Sequence, residues 1–245
     1  MSQATRPSRI LCVTGTGTDI GKSSLSLAVL LWARSRGLRA GYLKPVQCGS
    51  RDKAHGGMPH FGDPDWIRTA CPEVEEAGAV YTFPDAVSPH LAAERAGAWI
   101  DAEWILEQAV AAARRVDLLV VEGAGGAAVP LNREGFSLAD IACSGTWPCL
   151  IAALPGLGTL HHTITTAHYL AERGATVAGF AFVQSSPENS PVANDNVATL
   201  ESILKLPHFG TVPYVPGLGR NLPPSPAASS LLASSLPGLD AWWGA

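Results

Sequence analysis

The residues most able to do chemistry lie in the segment VTGTGTDIGKSS, residues 13–24, where an apolar run meets a glycine-rich turn and then a helical pattern. A helix N-terminus offers unpaired N–H groups and the positive end of a dipole, and both suit a polyphosphate. Lys22 could reach the β and γ phosphates, and the Ser23 hydroxyl could bind Mg²⁺. The segment therefore predicts a nucleotide site formed by Gly17, Thr18, Asp19, Ile20, Gly21, Lys22, Ser23 and Ser24.

The spacing of this segment differs from the common phosphate-binding pattern, because Gly15 and Gly21 enclose five residues where that pattern has four. The competing interpretation is a glycine-rich turn between a strand and a helix in which the lysine is incidental. The strand, turn and helix context favours nucleotide binding.

A second lysine follows in GYLKPVQCGS, where we predict a strand that ends at Lys44 and is stopped by Pro45. Ligands of open α/β sheets lie outside the carboxyl ends of the strands, so Lys44 would face the same crevice as the first segment. Lysine is scarce, since only four of the 17 basic residues are Lys. The placement of Lys44 at that edge favours a functional role for this lysine over the alternative, in which it is only a solvated charge at the end of a strand.

Carboxylates that could hold Mg²⁺ occur at two places. Glu122 ends a fully apolar strand in LLVVEGAGGAAVPL, where Gly123 and Gly125 would let backbone N–H groups approach an anion closely. The segment GDPDW supplies Asp63 or Asp65, although either could instead be the N-cap of a short helix. The alternative for Glu122 is a capping acid in a tight turn.

A further anion site is predicted in LPGLGTLHHT, where a strand leads into a helix through two glycines and Thr159 is the expected N-cap. Such a helix start suits a carboxylate. We interpret His162 as part of a polar helix face. The HxH, HExxH and GxSxG spacings are absent, so zinc and serine hydrolases lack support.

The elements that must position these residues alternate between short apolar runs and helical patterns. This rhythm predicts one α/β domain built on a doubly wound, mostly parallel sheet with helices on both faces. Six strands are expected, at 10–14, 40–44, 118–122, 149–153, 176–183 and 210–212. Helices are expected at 24–36, 65–70, 101–114, 159–173 and 194–204, and residues 45–100 are expected to form a surface excursion.

We divide the chain into a flexible N-terminal segment 1–8, a catalytic domain 9–215 and a Pro, Ser and Leu rich segment 216–245 that packs on that domain. The net charge of −4 gives no broad field for a polyanion, so we expect no nucleic-acid partner. No apolar run is long enough for a membrane span or a signal peptide. Five Cys residues without a CxxC pair suit a reducing compartment, so the expected location is cytoplasmic.

Together, the motifs VTGTGTDIGKS, GYLKPVQCGS, YTFPDAVSPHLAA, VEGAGGAAVPL and GLGTLHHT resemble the dethiobiotin synthetase family, in order and across about residues 10–179. The five-residue spacing in the first motif is itself typical of that family. The resemblance implies a homodimer with its substrate site at the subunit interface. It also implies a reaction in which ATP, Mg²⁺ and CO₂ close the ureido ring of dethiobiotin on 7,8-diaminononanoate.

Roles carried over from the resemblance attach to residues already singled out. Lys22, Lys44 and Thr18 would be catalytic, with Lys44 facing a carbamate formed from CO₂ and a substrate amine. The Mg²⁺ ligands would be Ser23, Asp63 and Glu122. Nucleotide contacts would extend from the loop to Glu122, Gly123, Gly125, Gln184 and Pro213. Substrate contacts would come from Lys44, Cys48, Gly125, Leu157, Gly158, Thr159 and His161, with the helix start at 157–159 supplied by the partner subunit.

The chain departs from the family pattern at a few positions. Cys48 replaces the usual Ser or Thr and is a weaker hydrogen-bond donor. Asp19 is one methylene shorter than the usual Glu, and His161 stands where Asn is common. Val183 and Gln184 stand where an Asn commonly reads the adenine edge; the Gln184 amide could substitute for that Asn, and the alternative is looser selectivity for the base.

Two other classes share a phosphate-binding loop. Cobyrinic-acid-type synthetases usually carry a glutamine amidotransferase half, for which this chain has no length left. Partition or positioning ATPases typically have a Lys near the start of the loop, where this chain has Thr16 after Gly15. They also need a basic patch or an amphipathic membrane helix, which the acidic balance and the Pro-rich C-terminus do not offer.

Overall fold

A seven-stranded parallel sheet forms the centre of the molecule in the computed structural model, which describes residues 9–50, 62–188, 190–218 and 223–244. The predicted N-terminal segment 1–8 lies outside the described residues. The strands are β1 (Arg9–Gly15), β2 (Ala40–Cys48), β3 (Glu76–Phe83), β4 (Leu118–Glu122), β5 (Cys149–Ala153), β6 (Val177–Val183) and β7 (His208–Val212).

The strand order is β3-β2-β4-β1-β5-β6-β7, and every neighbouring pair is parallel. The chain therefore builds the sheet outward on one side of β1 and then on the other, as a doubly wound fold does. This arrangement brings the carboxyl ends of all seven strands to one edge. The predicted fold class is confirmed.

Helices cover both faces of the sheet, and their bounds are α1 (Lys22–Ser35), α2 (Asp63–Ala70), α3 (Pro89–Arg95), α4 (Ala102–Ala113), α5 (Leu138–Gly145), α6 (Thr159–Glu172), α7 (Ala193–Leu204), α8 (Pro226–Ser234) and α9 (Gly238–Gly244). Successive residues of a strand point to opposite faces. Thus Leu11 and Val13 join the core beneath α1, α2, α8 and α9, whereas Cys12 joins the core beneath α3 to α7.

The prediction of six strands was wrong, because β3 lies inside the segment that we expected to be a surface excursion. Its first half contains Ala77, Gly78 and Ala79, which have low β-propensity, and the strand occupies the sheet edge beside β2 alone. The prediction that Pro45 stops β2 was also wrong. Beyond Leu43, β2 pairs only with β3, so Pro45 lies where one side of the strand has no neighbour to receive an N–H.

The C-terminal helices α8 and α9 pack against α1 and β7. Asp240 accepts a hydrogen bond from the Trp32 indole at 3.0 Å and also accepts hydrogen bonds from Nε and Nη2 of Arg36 at 3.0 and 2.8 Å. Arg9 donates to the Trp242 carbonyl at 2.8 Å. These contacts tie the end of the chain to the first strand and helix. Among the described residues, no helix combines the length and the apolar character needed to cross a membrane.

Candidate active site

The loop between β1 and α1 has the backbone geometry of a phosphate cradle. Asp19 and Gly21 both have positive φ, at 56° and 88°, and Gly21 is the N-cap of α1 without any side-chain cap. The first N–H groups of α1 are therefore open to an anion. A Cβ on Gly21 would lie 2.5 Å from a methyl of Val183, so the turn is packed against the end of β6.

The Lys22 side chain folds back over this loop and donates to the Gly17 carbonyl at 2.9 Å. It is only 7% exposed. Burial lowers the pKa of Lys22, and the positive charge of Lys44 adds to that effect, although the Glu122 carboxylate opposes it. A phosphate group at the loop would supply the negative charge that this buried ammonium lacks.

The loop after β4 lies directly against the loop after β1. The Ala127 amide donates to the Gly15 carbonyl at 3.0 Å, and a Cβ on Gly126 would meet the backbone of Gly17 at 3.4 Å. Gly125 has a φ of 68° and lies beside Thr18, whose hydroxyl would be 3.6 Å from an added Cβ. Glycines at these positions let two backbone segments share one anion site.

Glu122 is fully buried at the end of β4, and both of its carboxylate oxygens accept hydrogen bonds from serines in the first two turns of α1. Ser23 donates to Oε1 at 2.9 Å, and Ser26 donates to Oε2 at 2.7 Å. Ser23 and Ser26 are three residues apart and so share one face of the helix. The strand that carries Glu122 and the helix that carries the loop lysine are thereby joined.

Lys44 lies between two carboxylates. Its ammonium donates to Glu122 Oε1 at 2.9 Å and forms a short contact with Asp63 Oδ2. Burial alone would lower the pKa of Lys44, but the charges of Glu122 and Asp63 outweigh it and raise that pKa. Lys44 is therefore held as a cation with hardly any exposure to solvent.

The two aspartates of GDPDW have different partners. Asp63 begins α2 and reaches Lys44, whereas Asp65 pairs with exposed Arg68 at 2.8 Å. Neither is the N-cap, which is Gly62. The Asp63 amide donates to Gln47 Oε1 at 2.9 Å, so β2 also positions the start of α2.

Two more side chains of β2 border this cluster. Tyr42 is fully buried close to Glu122, and its hydroxyl forms no hydrogen bond of good geometry with the described residues. Burial, with the negative charges of Glu122 and Asp63, raises the pKa of Tyr42 well above its usual range. Cys48 is half-buried at the end of the strand, and burial raises its pKa to about 11.

The start of α6 lies after β5 at the same edge of the sheet. Gly158, with a φ of 89°, is the N-cap, so the prediction that Thr159 caps this helix was wrong. Thr159 is already inside the helix, where its hydroxyl is buried 3.3 Å from that of Thr163. Leu157 is 95% exposed and His161 is exposed, so this helix start faces away from the core.

Gln184 and Pro213 follow the ends of β6 and β7 and are neighbours in space. The Gln184 amide donates to the Val212 carbonyl at 3.0 Å, and Gln184 Oε1 accepts from the Tyr214 amide at 3.3 Å. Through Val183, this corner touches Gly21 of the phosphate loop. The structure thus brings the expected base-reading residues beside the loop. The start of α6 forms a separate, outward part of the same edge.

Sequence reasoning missed Ser26, Tyr42 and Gln47. Ser26 could have been found, because it lies one helical turn after Ser23 and so on the same face of α1. Nothing local marks Tyr42 or Gln47. Their importance follows from the position of β2 beside β4 and from the path of the chain back to Asp63.

A parallel doubly wound sheet, a glycine-rich loop at the start of α1 and a buried lysine and carboxylate cluster at the same edge define a P-loop nucleotide-binding protein. In agreement, a family model described as an AAA domain matches residues 9–221.

Two relatives narrow this class to one family. ATP-dependent dethiobiotin synthetase from Geobacillus sp. (strain WCH70) is 36% identical over 208 residues, which cover 84% of this chain and 84% of the relative. The enzyme of the same name from Anaeromyxobacter sp. (strain K) is 37% identical, and the match covers 86% of this chain and 93% of the relative. The chain belongs to the dethiobiotin synthetase family, whose members are ATP-dependent ligases that form carbon–nitrogen bonds.

Solved structures with a similar fold include the septum site-determining protein MinD from Pyrococcus horikoshii, in complex with Mg-ADP. Its TM-score is 0.60 at 14% identity, and the match covers 97% of this chain and 98% of that chain. A chain of the MinC:MinD cell division protein complex from Aquifex aeolicus has a TM-score of 0.58 at 12% identity, and the match covers 97% of this chain and 96% of that chain. At such low identity the likeness shows the fold alone.

Proposed function

We propose that this chain converts 7,8-diaminononanoate, CO₂ and ATP into dethiobiotin, ADP and phosphate, with Mg²⁺ as cofactor, in the cytoplasm. The observation that carries this proposal is the convergence of two buried lysines with a hydroxyl and two carboxylates beside the glycine-rich loop after β1, which would bind the phosphates. The substrate is inferred from the family resemblance, and the charged groups of the site explain how the reaction could be promoted.

The donor set fits Mg²⁺. Mg²⁺ prefers hard oxygen ligands, and such atoms are offered by Ser23, Glu122 and Asp63. The Ser23 hydroxyl donates to Glu122 Oε1, and the Lys44 ammonium contacts both carboxylates, so the three side chains lie close together. When bound, Mg²⁺ would neutralise charge on the phosphate oxygens. The remaining task of the chain is to hold the reactants together and to counter the repulsion between them.

The first step forms a carbamate, as a substrate amine adds to CO₂ and loses a proton. In the second step a carbamate oxygen attacks the γ-phosphorus, the bond to the β–γ bridging oxygen breaks, and ADP leaves. Both reactants are anions. Lys22 at the phosphate loop and Lys44 within β2 offset their repulsion, which is the role of fixed charges in phosphoryl transfer.

Ring closure completes the reaction. The neighbouring amine attacks the carbonyl carbon of the carbamic-phosphoric anhydride, phosphate leaves, and the amine loses its proton. Thr18 and the loop amides beside Gly125 would hold the diamine close to the anhydride. Water must be kept from the anhydride, and we expect the loops after β1 and β4, which the hydrogen bond from Ala127 to Gly15 joins, to serve this purpose.

The substrate carboxylate would be bound by the helix start at Leu157, Gly158, Thr159 and His161, contributed by the partner subunit of a homodimer. Two observations support this assignment. The helix start is outward-facing, with Leu157 95% exposed, and its N-cap is a glycine, so no side chain caps the first turn, in which the Thr159 N–H donates to the Gly156 carbonyl at 3.2 Å.

The experiment is direct. Pure protein is mixed with Mg·ATP, ¹³C-bicarbonate and 7,8-diaminononanoate, and phosphate release and product mass are followed together. We expect phosphate release that depends on the diamine and a dethiobiotin mass that carries one ¹³C. Phosphate release that ignores the diamine, with no ureido product, would refute the proposal.

Nucleotide choice gives a second test of the site. Gln184 replaces the expected Asn and directs its carbonyl oxygen to the Tyr214 amide, so it is already engaged by the protein. We expect turnover with more than one nucleoside triphosphate, measured as diamine-dependent phosphate release with ATP, CTP and GTP. A strict requirement for ATP would contradict this expectation.

A further inference from the structure

Ser26 is a buried polar residue in the first turns of α1 to which the proposed reaction gives no role. Its side chain is fully buried, and its hydroxyl donates to Glu122 Oε2 at 2.7 Å. The other carboxylate oxygen, Oε1, accepts from Ser23 and from Lys44, both at 2.9 Å. Glu122 therefore has one oxygen toward the reacting groups and one toward Ser26.

These three hydrogen bonds do not have the same fate in the proposed reaction. Ser23 would turn its oxygen to the metal, and Lys44 would turn to the carbamate. The hydrogen bonds that these two side chains donate to Oε1 would therefore weaken. The Ser26 bond lies on the far side of the carboxylate and can persist throughout. It would then fix the plane of the carboxylate while Oε1 exchanges its partners.

We infer that Ser26 is a positioning residue that orients Glu122 for Mg²⁺, an inference that rests on the proposed function of Glu122 as a metal ligand. A carboxylate that binds a metal is commonly held by a hydrogen bond to its other oxygen, and loss of such a bond weakens metal affinity about 10- to 100-fold. Because Glu122 is buried, solvent cannot replace the lost donor.

A merely structural serine would behave differently. Loss of its hydrogen bond would lower the stability of the fold and would weaken nucleotide binding with or without metal. A positioning residue acts on the part of nucleotide affinity that Mg²⁺ adds. The ratio of the nucleotide dissociation constant in EDTA to that in MgCl₂ separates the two roles.

The test measures this ratio by calorimetry with the β,γ-imido analogue of ATP, which is not hydrolysed. We expect Ser26→Ala to lower the ratio about tenfold, while the dissociation constant in EDTA changes by less than about twofold. Ser35→Ala is the matched control, since Ser35 lies at the other end of α1 and bonds the Trp32 carbonyl at 2.7 Å. Its ratio should equal that of the unmodified protein.

A second comparison shows whether Ser26 acts through Glu122. In a Glu122→Gln background the metal contribution is already reduced, so adding Ser26→Ala should lower the ratio no further. If Ser26→Ala does not fold, Ser26→Cys replaces it, because a thiol is a weaker donor of similar shape. The same fall in the ratio is expected for that variant.

The inference is overturned if the Ser26 variant keeps the full ratio, or if its affinity falls equally in EDTA and in MgCl₂. It is also overturned if Ser26→Ala lowers the ratio as much in the Glu122→Gln background as alone. If the unmodified protein shows no gain in affinity from Mg²⁺, the proposed metal site itself fails, which is a separate result.

Discussion

Replacing Lys44 by Met would test whether the buried cluster holds the fold together as well as serving the reaction. Met keeps an apolar chain of similar length, so contacts of the lysine stem are largely retained. What is lost is the ammonium, which pairs with Glu122 at 2.9 Å and also contacts Asp63. Glu122 is fully buried and would then lose its directly paired counter-ion, with Lys22 as the cation that remains nearby.

The expected loss of unfolding free energy depends on how exposed the two carboxylates that pair with Lys44 are. Removing one member of a buried ion pair costs about 3–5 kcal/mol of unfolding free energy. The side chain of Asp63 is 35% exposed, so its pairing adds little to this sum. Glu122 keeps its bonds from Ser23 and Ser26, which sets the expectation at the lower end, about 3 kcal/mol. For a chain of this size that corresponds to a fall in Tm of about 6–12 °C.

The assay is urea unfolding at pH 7 followed by far-ultraviolet circular dichroism, with a thermal scan alongside. The exposed Lys205 provides a matched control, and Lys205→Met should change the free energy by less than about 0.5 kcal/mol. Adding Glu122→Gln to Lys44→Met should restore about 2 kcal/mol, because the uncompensated charge is gone. A loss below about 1 kcal/mol for Lys44→Met, with no recovery in the double variant, would refute the reasoning.

Three other predictions concern the site. Lys44→Ala should leave ATP binding nearly intact and abolish turnover, as measured by calorimetry and phosphate release; loss of ATP binding would indicate a different role. Gly21→Ala should cost about 1–3 kcal/mol more unfolding free energy than Gly37→Ala, because both have positive φ but only the first places its Cβ against Val183. Equal losses on urea unfolding would contradict this. With a pKa of about 11, Cys48 should be about one part in a thousand thiolate at pH 8. Its alkylation, followed by mass spectrometry, should therefore be much slower than that of free cysteine and should accelerate as the pH rises toward 11; a rate equal to that of free cysteine at pH 8 would contradict the burial argument.

Much of the fold could be read from the sequence because local signals there agree with one another. The central strands are continuous apolar runs, as expected where a parallel sheet is covered on both faces, and their ends are marked by glycines. The missed helix α5 had a signal too, since Ser137 and Asp140 form a capping box at its start. Strand β3 had only half a signal, because residues 80–83 favour a strand whereas the small residues 77–79 are ordered by pairing with β2 and not by their own propensity.

The residues of the site also differ in whether the sequence alone could predict their positions. Lys22 and Ser23 could be placed because the loop, the turn and the helix that define their geometry are contiguous in the chain. Asp63 and Asp65 could not be told apart by their spacing, since both lie in the first turn of α2. The path of the chain separates them, as one faces the strand that carries Lys44 and the other faces Arg68.

The sequence by itself determined the class of fold, the nucleotide loop and the family, because each depends on residue types at short, fixed spacings. Only the tertiary structure decided how the charges are arranged. It placed Lys44 between Glu122 and Asp63, although 78 and 19 residues of chain separate it from them, and it brought Ser26 to the far oxygen of Glu122. Such pairings depend on which strands are neighbours in the sheet, and strand order is set by packing over the whole domain.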